Sequence, residues 1–374
     1  MTMKAEQAHP TPNTLGGIPP FLAHRVAGWI QDGVDEGELL EVLAGLGDQA
    51  RPGSEAYVLP LMNTGDRYFA QGQLESNPQA KQEEFLKASF YYFLARFPHV
   101  LSPLAEEAYR KSLKAYAEAG ALFDPPLEIV RIPSEAGSIV GYLRRPKHLE
   151  RPPVVIVCGG IDVWKGDLEL HRISEHLLAR GLATFALDMP GTGESLHRAD
   201  SNAGGVFKHA LEYLRSRLDL DGERVGAYGL SFGGHWATRL ALQGVGLKAA
   251  VNVGGPIHLS FQPEWVERLP VGTLMALARI QGLSLQEVGL RGVGDGLARL
   301  SLLEANLLEK RSGQTALLSI NGSLDELVSI DDLHLLSARG IVQDTLVFSE
   351  DRHVASGNAS LHRPFAAHWI AARL

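Results

Sequence analysis

The chain has 374 residues, 45% of them hydrophobic, and carries a formal charge of −8 at pH 7. Its length predicts two domains, or one large α/β domain with an added piece. The acidic balance argues against nucleic acid and anionic membranes as main partners, and we expect neither. The single cysteine, Cys158, excludes a disulfide framework and favours a reducing compartment. Because no amino-terminal targeting pattern and no run of 18 apolar residues is found, we expect a cytoplasmic protein.

The amino-terminal third of the chain reads as helical. Residues 1–20 are rich in Pro, Thr and Gly, which predicts an extended arm. Residues 21–125 carry apolar side chains at helical spacing without a fixed repeat period, which predicts a helical domain that is not a repeat array. The aromatic cluster at residues 85–97 is typical of a packed core; the alternative is that one or two rings cover a substrate pocket. Asp124-Pro-Pro126 ends the helical pattern and marks a domain boundary.

Strands and helices alternate over residues 126–374. A hairpin is predicted at residues 127–143, and the fully apolar run Val154–Cys158 predicts a buried parallel strand. Further strands are predicted at residues 183–187, 248–253, 315–320 and 345–348. This alternation predicts an α/β fold with a doubly wound, mostly parallel sheet. Residues 256–312 interrupt it with two or three helices and a loop at 289–296, which predicts a partial lid inserted near the active edge of the sheet.

A strand, a sharp turn and a helix are predicted to meet at Gly229-Leu-Ser-Phe-Gly233. In such a turn the serine is strained and exposed, and the flanking glycines let strand and helix approach each other. A serine hydroxyl is a poor nucleophile at neutral pH, so Ser231 needs a histidine base and an acid that orients it. In a chain with 40 glycines the motif can arise by chance, and the interpretation depends on those partners.

An acid and a base follow Ser231 in the chain order that this architecture requires. Asp325 lies just past one predicted strand, and His353 lies just past the next. Because the carboxyl ends of parallel strands share one edge of the sheet, we expect the three side chains to meet there. Other acids and histidines are interpreted as flanking or packing groups of helices: Glu326, Asp331, Asp332, His235, His334, His362 and His368.

Two loops complete the predicted site. The backbone N–H of Phe232 is the expected first oxyanion donor, and that of Ile161 or Gly160, after the strand Val154–Cys158, is the second. Asp162 either braces that loop or touches substrate. Ser195 is a rival nucleophile, but it lacks the following glycine and the helix start, so a tight turn is favoured. The glycines of residues 289–296 do not have the spacing of a nucleotide-binding loop, and no metal or cofactor is expected.

These motifs resemble the α/β-hydrolase superfamily. Together with residues 85–92, 119–126 and 141–146, the segment Cys158-Gly-Gly-Ile-Asp162 is similar to the branch with a helical amino-terminal domain. That branch includes 2,6-dihydroxypseudooxynicotine hydrolase, the fungal yellowish-green polyketide-shortening hydrolases and the fermentation-respiration switch protein. The resemblance implies Ser231 as nucleophile, Asp325 as acid and His353 as base. It also implies a homodimer.

The predicted function is acyl transfer to water by a carboxylesterase-like serine hydrolase acting on a small molecule. A mid-sized acyl or aromatic ester is expected, in a pocket between the sheet edge and the helical domain. The resemblance leaves an alternative open, the hydrolysis of a C–C bond in a 1,3-diketone-like or aryl ketone substrate. A second alternative is a non-catalytic binding module on the same scaffold, which the complete triad disfavours.

Overall fold

The computed structural model describes residues 17–200, 203–309 and 315–374. Within these ranges the chain forms thirteen α-helices and eight β-strands. The helices are α1 Pro20–Gln31, α2 Glu36–Ala44, α3 Glu55–Leu74, α4 Pro78–Arg96, α5 Pro103–Gly120, α6 Leu168–Leu178, α7 Gly205–Ser216, α8 Phe232–Leu242, α9 Pro263–Val266, α10 Val271–Ile280, α11 Leu285–Ala298, α12 Ile330–Ala338 and α13 Ala359–Ala371. The strands are β1 Glu128–Ser134, β2 Gly137–Arg144, β3 Pro153–Cys158, β4 Ala183–Leu187, β5 Asp221–Leu230, β6 Ala249–Val253, β7 Ala316–Gly322 and β8 Asp344–Phe348.

The predicted extended arm falls mostly outside this description. Residues 1–16 of the arm lie outside the described residues, and Pro20 already begins α1. The contacts of the chain divide it into two compact units. Of the described residues, 17–128 and 166–172 form a helical unit, and the remainder form an α/β unit.

The helical unit has an aromatic core. Trp29 of α1 meets Phe90, Phe93 and Phe97 edge-on, with ring centroids 5.7 to 6.1 Å apart. All six aromatic residues predicted as a packed cluster are buried there: Phe85, Phe90, Tyr91, Tyr92, Phe93 and Phe97. Helices α3 and α4 approach closely because Gly65 lies against the Tyr92 ring, where a Cβ atom would come within 2.6 Å of it. The alternation of large rings and small residues thus sets the packing of this unit.

A short segment from later in the chain belongs to the helical unit. Residues 166–172 include the first turn of α6 and carry two buried acids, Asp167 and Glu169. Asp167 pairs with Arg96 of α4, and Glu169 pairs with Arg25 of α1. Because an unpaired buried charge is costly, these ion pairs fix the segment among the helices.

The α/β unit is built on an eight-stranded sheet with the order β1-β2-β4-β3-β5-β6-β7-β8. β2 pairs antiparallel with β4, and every pairing from β4 to β8 is parallel. All residues of β3, β4 and β6 are buried, as expected for strands that helices cover on both faces. The carboxyl ends of β5, β7 and β8 therefore lie along the same edge of the sheet.

The insertion between β6 and β7 corrects one sequence prediction. Residues 289–296, predicted to form a loop, lie within α11. The helix is kinked at Gly289, whose φ of 64° is open to glycine, and then continues. Val293 and Leu297 are buried on its inner face, so tertiary packing outweighs the poor helix propensity of the glycines. The last three residues of the predicted insertion, 310–312, lie outside the described residues.

Candidate active site

Ser231 occupies a strained turn between β5 and α8. Its backbone angles are φ 55° and ψ −127°, outside the regions that non-glycine residues normally adopt. Its N–H donates to the Val253 carbonyl, and its own carbonyl accepts from the Gly234 N–H, each at 2.7 Å. These two bonds hold the strained conformation, which presents the Ser231 side chain at the carboxyl edge of the sheet.

The two glycines of the motif are required by close contacts. A Cβ atom at Gly229 would overlap the Gly233 carbonyl, and one at Gly233 would lie 2.6 Å from the Gly159 carbonyl oxygen. Gly233 also packs directly on the carbonyl of Cys158, at the end of β3. The spacing of glycines around Ser231 therefore reflects the approach of α8 to two neighbouring strands.

The structure brings the three predicted side chains into one hydrogen-bonded chain. Ser231 Oγ lies 2.7 Å from His353 Nε2. His353 Nδ1 lies 2.7 Å from Asp325 Oδ2. Asp325 follows β7 and His353 follows β8, so adjacent parallel strands deliver both groups to Ser231. The Asp325 carboxylate is fully enclosed, whereas 18% of the His353 side chain is exposed.

The surroundings of Asp325 favour its ionised form. Burial raises the pKa of this carboxyl, but the interaction with His353 and the hydrogen bonds that the carboxylate accepts together leave the pKa below its ordinary value. Further hydrogen bonds act in the same direction. The N–H groups of Leu327 and Val328 donate to Oδ1 at 2.8 and 3.0 Å, and the Asn321 amide donates to Oδ2 at 2.8 Å. An ionised carboxylate only accepts, so His353 must carry its proton on Nδ1.

The competing acids and histidines lie elsewhere. Glu326, Asp331, His334 and His368 are on the surface, and the buried His235 sits on α8 with its Nδ1 3.0 Å from the Pro256 carbonyl. His362 is buried on α13. The rival serine, Ser195, has its hydroxyl enclosed without a hydrogen-bond partner among the described residues. Within the described part of the chain, the hydrogen bond of the Ser231 hydroxyl is to His353 and not to any of these groups.

Asp332 has a role that its position on α12 did not predict. Its buried carboxylate accepts four backbone N–H groups, from residues 257, 258, 259 and 260, at 2.7 to 3.2 Å. The loop that follows β6 is thereby tied to the helix that follows the Asp325 loop. The contacts span more than 70 positions, so no local sequence signal could have revealed them.

Two residues predicted to supply oxyanion donors, Phe232 and Gly160, lie next to Ser231. Phe232 begins α8, and the N–H of a first helical residue has no acceptor within its own helix. Gly160 lies against Ser231 from the other side, since a Cβ atom there would come within 2.8 Å of the Ser231 Cβ. Ile161 and Asp162, both half-buried, continue this loop, and the Ile161 carbonyl accepts from Trp164 Nε1 at 3.1 Å.

A buried lysine anchors the far end of the same loop. Lys165 Nζ lies 2.6 Å from Asp188 Oδ2 and 2.7 Å from Glu194 Oε2. Asp188 also accepts the Lys165 N–H at 2.9 Å, and the Glu194 N–H at 2.9 Å. The segment 188–195, which includes the tight turn predicted at Ser195, is thus joined through one carboxylate to the loop that carries Gly160. Lys165 was not predicted as part of the site, because nothing in its local sequence marks it as buried.

The described residues contain neither a metal-binding cluster nor a membrane-spanning helix. Across residues 17–200, 203–309 and 315–374, no group of three or more His, Cys, Asp or Glu side chains is placed to hold a metal ion. In the same ranges no helix combines the length and apolar character that crossing a membrane demands. The absence of a cofactor stays a prediction.

The parallel sheet, its flanking helices and the strained serine turn define the α/β-hydrolase class. Comparison with known proteins agrees. The fold matches the crystal structure of 2,6-dihydroxy-pseudo-oxynicotine hydrolase with a TM-score of 0.80 at 20% identity, covering 93% of this chain and 95% of that one. This likeness concerns the fold.

Sequence comparison identifies the family. A family model described as esterase FrsA-like matches residues 24–347. Esterase FrsA of Salmonella paratyphi B is 30% identical over 302 residues, which cover 76% of this chain and 72% of that protein. Esterase FrsA of Shigella sonnei is 29% identical over 248 residues, which cover 62% of this chain and 59% of that protein. The chain belongs to the FrsA-like esterase family, and these relatives indicate a hydrolase.

Proposed function

We propose that the chain hydrolyses carboxylic esters of mid-sized acyl or aromatic groups, with Ser231 as nucleophile, His353 as base and Asp325 as acid. One observation carries the proposal. The atoms Ser231 Oγ, His353 Nε2, His353 Nδ1 and Asp325 Oδ2 form a continuous chain whose two hydrogen bonds are both 2.7 Å long. Family membership among esterases supports the same reaction class.

The hydrogen-bond directions set the proton path. Because Nδ1 donates to Asp325, Nε2 of His353 presents a lone pair to the Ser231 hydroxyl. As Ser231 Oγ bonds to the acyl carbon, its proton passes to Nε2 and the carbonyl electron pair moves to oxygen. Collapse of this tetrahedral species expels the alkoxide, which takes the proton from His353. A water molecule then repeats both steps on the acyl-enzyme, releases the acid and restores Ser231.

Backbone N–H groups would stabilise the oxygen that becomes charged. We assign the first to Phe232, where the amino-terminal end of α8 adds a favourable dipole. The second is the N–H of Ile161 or Gly160. Each such donor supplies about 3 kcal/mol of transition-state stabilisation when it is aimed at the developing oxyanion.

Labelling and turnover together test the proposal. A fluorophosphonate probe should label the wild-type protein once, and Ser231→Ala should abolish both labelling and turnover of p-nitrophenyl esters of increasing chain length. Ser195→Ala is the matched control and should behave as wild type. An unlabelled wild-type protein would indicate a binding module, and an active Ser231→Ala variant would move the nucleophile elsewhere.

The leaving group is tested in the same assay. Cleavage of a C–C bond would use the same nucleophile and oxyanion donors, but it needs a carbanion stabilised as an enolate or phenolate. The ester panel is therefore run beside several aryl diketones. Turnover of the esters with inert diketones supports the esterase, and the opposite pattern replaces it with the C–C hydrolase.

A further inference from the structure

Asn321 shares one oxygen of the Asp325 carboxylate with His353. It is the penultimate residue of β7 and is buried. Its Nδ2 donates to Asp325 Oδ2 at 2.8 Å, and the same oxygen accepts from His353 Nδ1 at 2.7 Å. The amide thus acts on the oxygen atom that orients the imidazole.

The other end of the same amide holds the backbone next to His353. Asn321 Oδ1 accepts the Val354 N–H at 3.0 Å and the Gly322 N–H at 2.9 Å. Val354 needs such support because its φ of 56° is left-handed, a conformation that a β-branched residue rarely adopts. Ala355 follows with a φ of 49°. One side chain therefore touches both the acid and the strained segment that begins after the base.

The partners of Asn321 fix the orientation of its amide. The ionised Asp325 carboxylate can only accept, so the NH₂ group must face it. Val354 and Gly322 offer N–H donors, so the carbonyl oxygen must face them. A flipped amide would place acceptor against acceptor and donor against donor, so a single orientation satisfies all the contacts.

Other contacts join the two loops without touching the acid side chain. The Leu324 N–H donates to the Asp351 carbonyl at 2.8 Å, and the Ser323 N–H donates to the Phe348 carbonyl at 2.9 Å. These backbone bonds keep the loops together whichever residue occupies position 321. Removal of the Asn321 amide therefore alters the aim of Asp325 more than it alters the fold.

We propose that Asn321 is a positioning residue that locks the Asp325 carboxylate and the backbone after His353 into the geometry in which His353 reaches Ser231. This inference rests on the proposed function, because it acts through the triad. As a hydrogen bond to a charged acceptor, the contact with Asp325 is of the stronger kind. Its loss leaves Oδ1 still held by the Leu327 and Val328 N–H groups but lets Oδ2 turn away from Nδ1, which weakens the base without changing the substrate site.

The sharpest variant is Asn321→Asp, which retains an acceptor for Val354 and Gly322 and, when ionised, offers no donor to Asp325. We expect kcat to fall about 10- to 100-fold, with KM within about threefold of wild type. Fluorophosphonate should still label the whole protein sample, but with a rate constant lowered in proportion to kcat. A purely structural role would instead lower the labelled fraction and leave the rate constant of the labelled molecules unchanged.

Asn358→Asp is the matched control. Asn358 Nδ2 donates to Asp351 Oδ2 at 2.7 Å, so the same chemical pair is altered near His353 without touching Asp325. We expect its kcat and labelling rate to stay within about threefold of wild type, since the lost contact is outside the triad. Equal losses in the two variants, or an Asn321→Asp enzyme with wild-type kcat, would overturn the inference.

Asn321→Ala removes both sets of contacts and should lose at least as much activity, with a lower melting temperature. If it fails to fold, the kcat and labelling rate of Asn321→Asp still decide whether the inference holds. Failure of the proposed function is recognised separately, because then the wild-type protein is not labelled or Ser231→Ala remains active.

Discussion

Ser231 combines a strained backbone with a side chain that is hydrogen-bonded to His353. Its φ of 55° costs on the order of 1–3 kcal/mol, which the bonds to Val253 and Gly234 offset. The neighbouring glycines then determine how close other groups come to its hydroxyl. Gly160 offers the clearest test of this closeness. Its backbone does not have a positive φ, so alanine causes no backbone strain there, and the atoms nearest to an added Cβ belong to Ser231.

Gly160→Ala should impair activity more than stability. The new Cβ would lie 2.8 Å from Ser231 Cβ and 3.0 Å from Oγ, so the hydroxyl must turn away from His353. We expect kcat/KM to fall about 100-fold, the loss that a misplacement of about 1 Å can cause. Gly272→Ala is the control, since nothing lies within 4 Å of a Cβ there. Ester hydrolysis measures the activity of the two variants, and thermal melting measures their stability. Equal activity of the two variants would contradict the placement of Gly160.

Asp325→Asn tests the acid member. The amide retains the shape of the carboxylate but can present N–H to the imidazole, which then adopts the wrong tautomer. We expect kcat to fall about 10⁴-fold while the fold persists. Asp331→Asn changes an exposed acid six residues away and should leave kcat unchanged. A loss below tenfold in the first variant would assign the role to another carboxylate.

At the scale of whole elements, α8 and α13 each bury a histidine that the triad does not use. Burial first, and then a neighbouring arginine on the same helix, lowers the pKa of both His235 and His362 from 6.5 to about 3. Each ring is therefore neutral in the folded protein over the physiological range. The two helices consequently make the protein sensitive to acid.

The sign of this effect follows from proton binding. The unfolded chain binds protons near pH 6.5 and the folded protein only near 3, so stability present above pH 6.5 is lost as the pH falls towards 3. Between pH 7.5 and 5.5 each histidine should cost about 1 kcal/mol of unfolding free energy.

Urea unfolding at several pH values measures this loss. His362→Gln should reduce the loss of unfolding free energy between pH 7.5 and 5.5 by the contribution of one histidine. His334→Gln, at an exposed site on α12, should leave this loss as in wild type. A pH dependence that is identical in all three proteins would contradict the burial of a neutral His362.

At the scale of the whole molecule, the two units are stabilised by different kinds of contact. The α/β unit gathers its site from β5, β7 and β8, whose order in the sheet follows from parallel crossovers. The helical unit has an aromatic core and captures residues 166–172 through buried ion pairs. The homodimer implied by the family resemblance stays a prediction.

Arg96→Met should destabilise the helical unit strongly. The Arg96 side chain is fully buried and its partner Asp167 is 8% exposed, so the variant removes a buried cation from beside the Asp167 carboxylate. Breaking such a pair from one side costs about 3–5 kcal/mol. Arg67→Met breaks the exposed pair with Glu38 and should cost at most about 1 kcal/mol. Urea unfolding followed by circular dichroism measures the unfolding free energy of the two variants. Similar losses of free energy in both would contradict a buried Arg96–Asp167 pair.

The sequence by itself determined the parts of this protein that local patterns encode. The strand predicted at residues 183–187 is observed as Ala183–Leu187, because a short and mostly apolar run between Gly181 and Pro190 is typical of a buried strand. The glycines around Ser231, and the order in which Asp325 and His353 follow, identified the candidate triad before any distance was known. Turn chemistry and strand periodicity depend on residues close together in the sequence, so they can be recognised from the sequence alone.

Only the tertiary structure decided which distant polar groups become partners. Nothing local predicts that Asn321 bridges Asp325 and Val354, that Lys165 is buried against Asp188, or that residues 166–172 join the helical unit. The helix over 289–296 likewise depends on burial of Val293 and Leu297. Such contacts join residues far apart in sequence, and their energy comes from removing charges and amides from water, which leaves no periodic trace in the sequence.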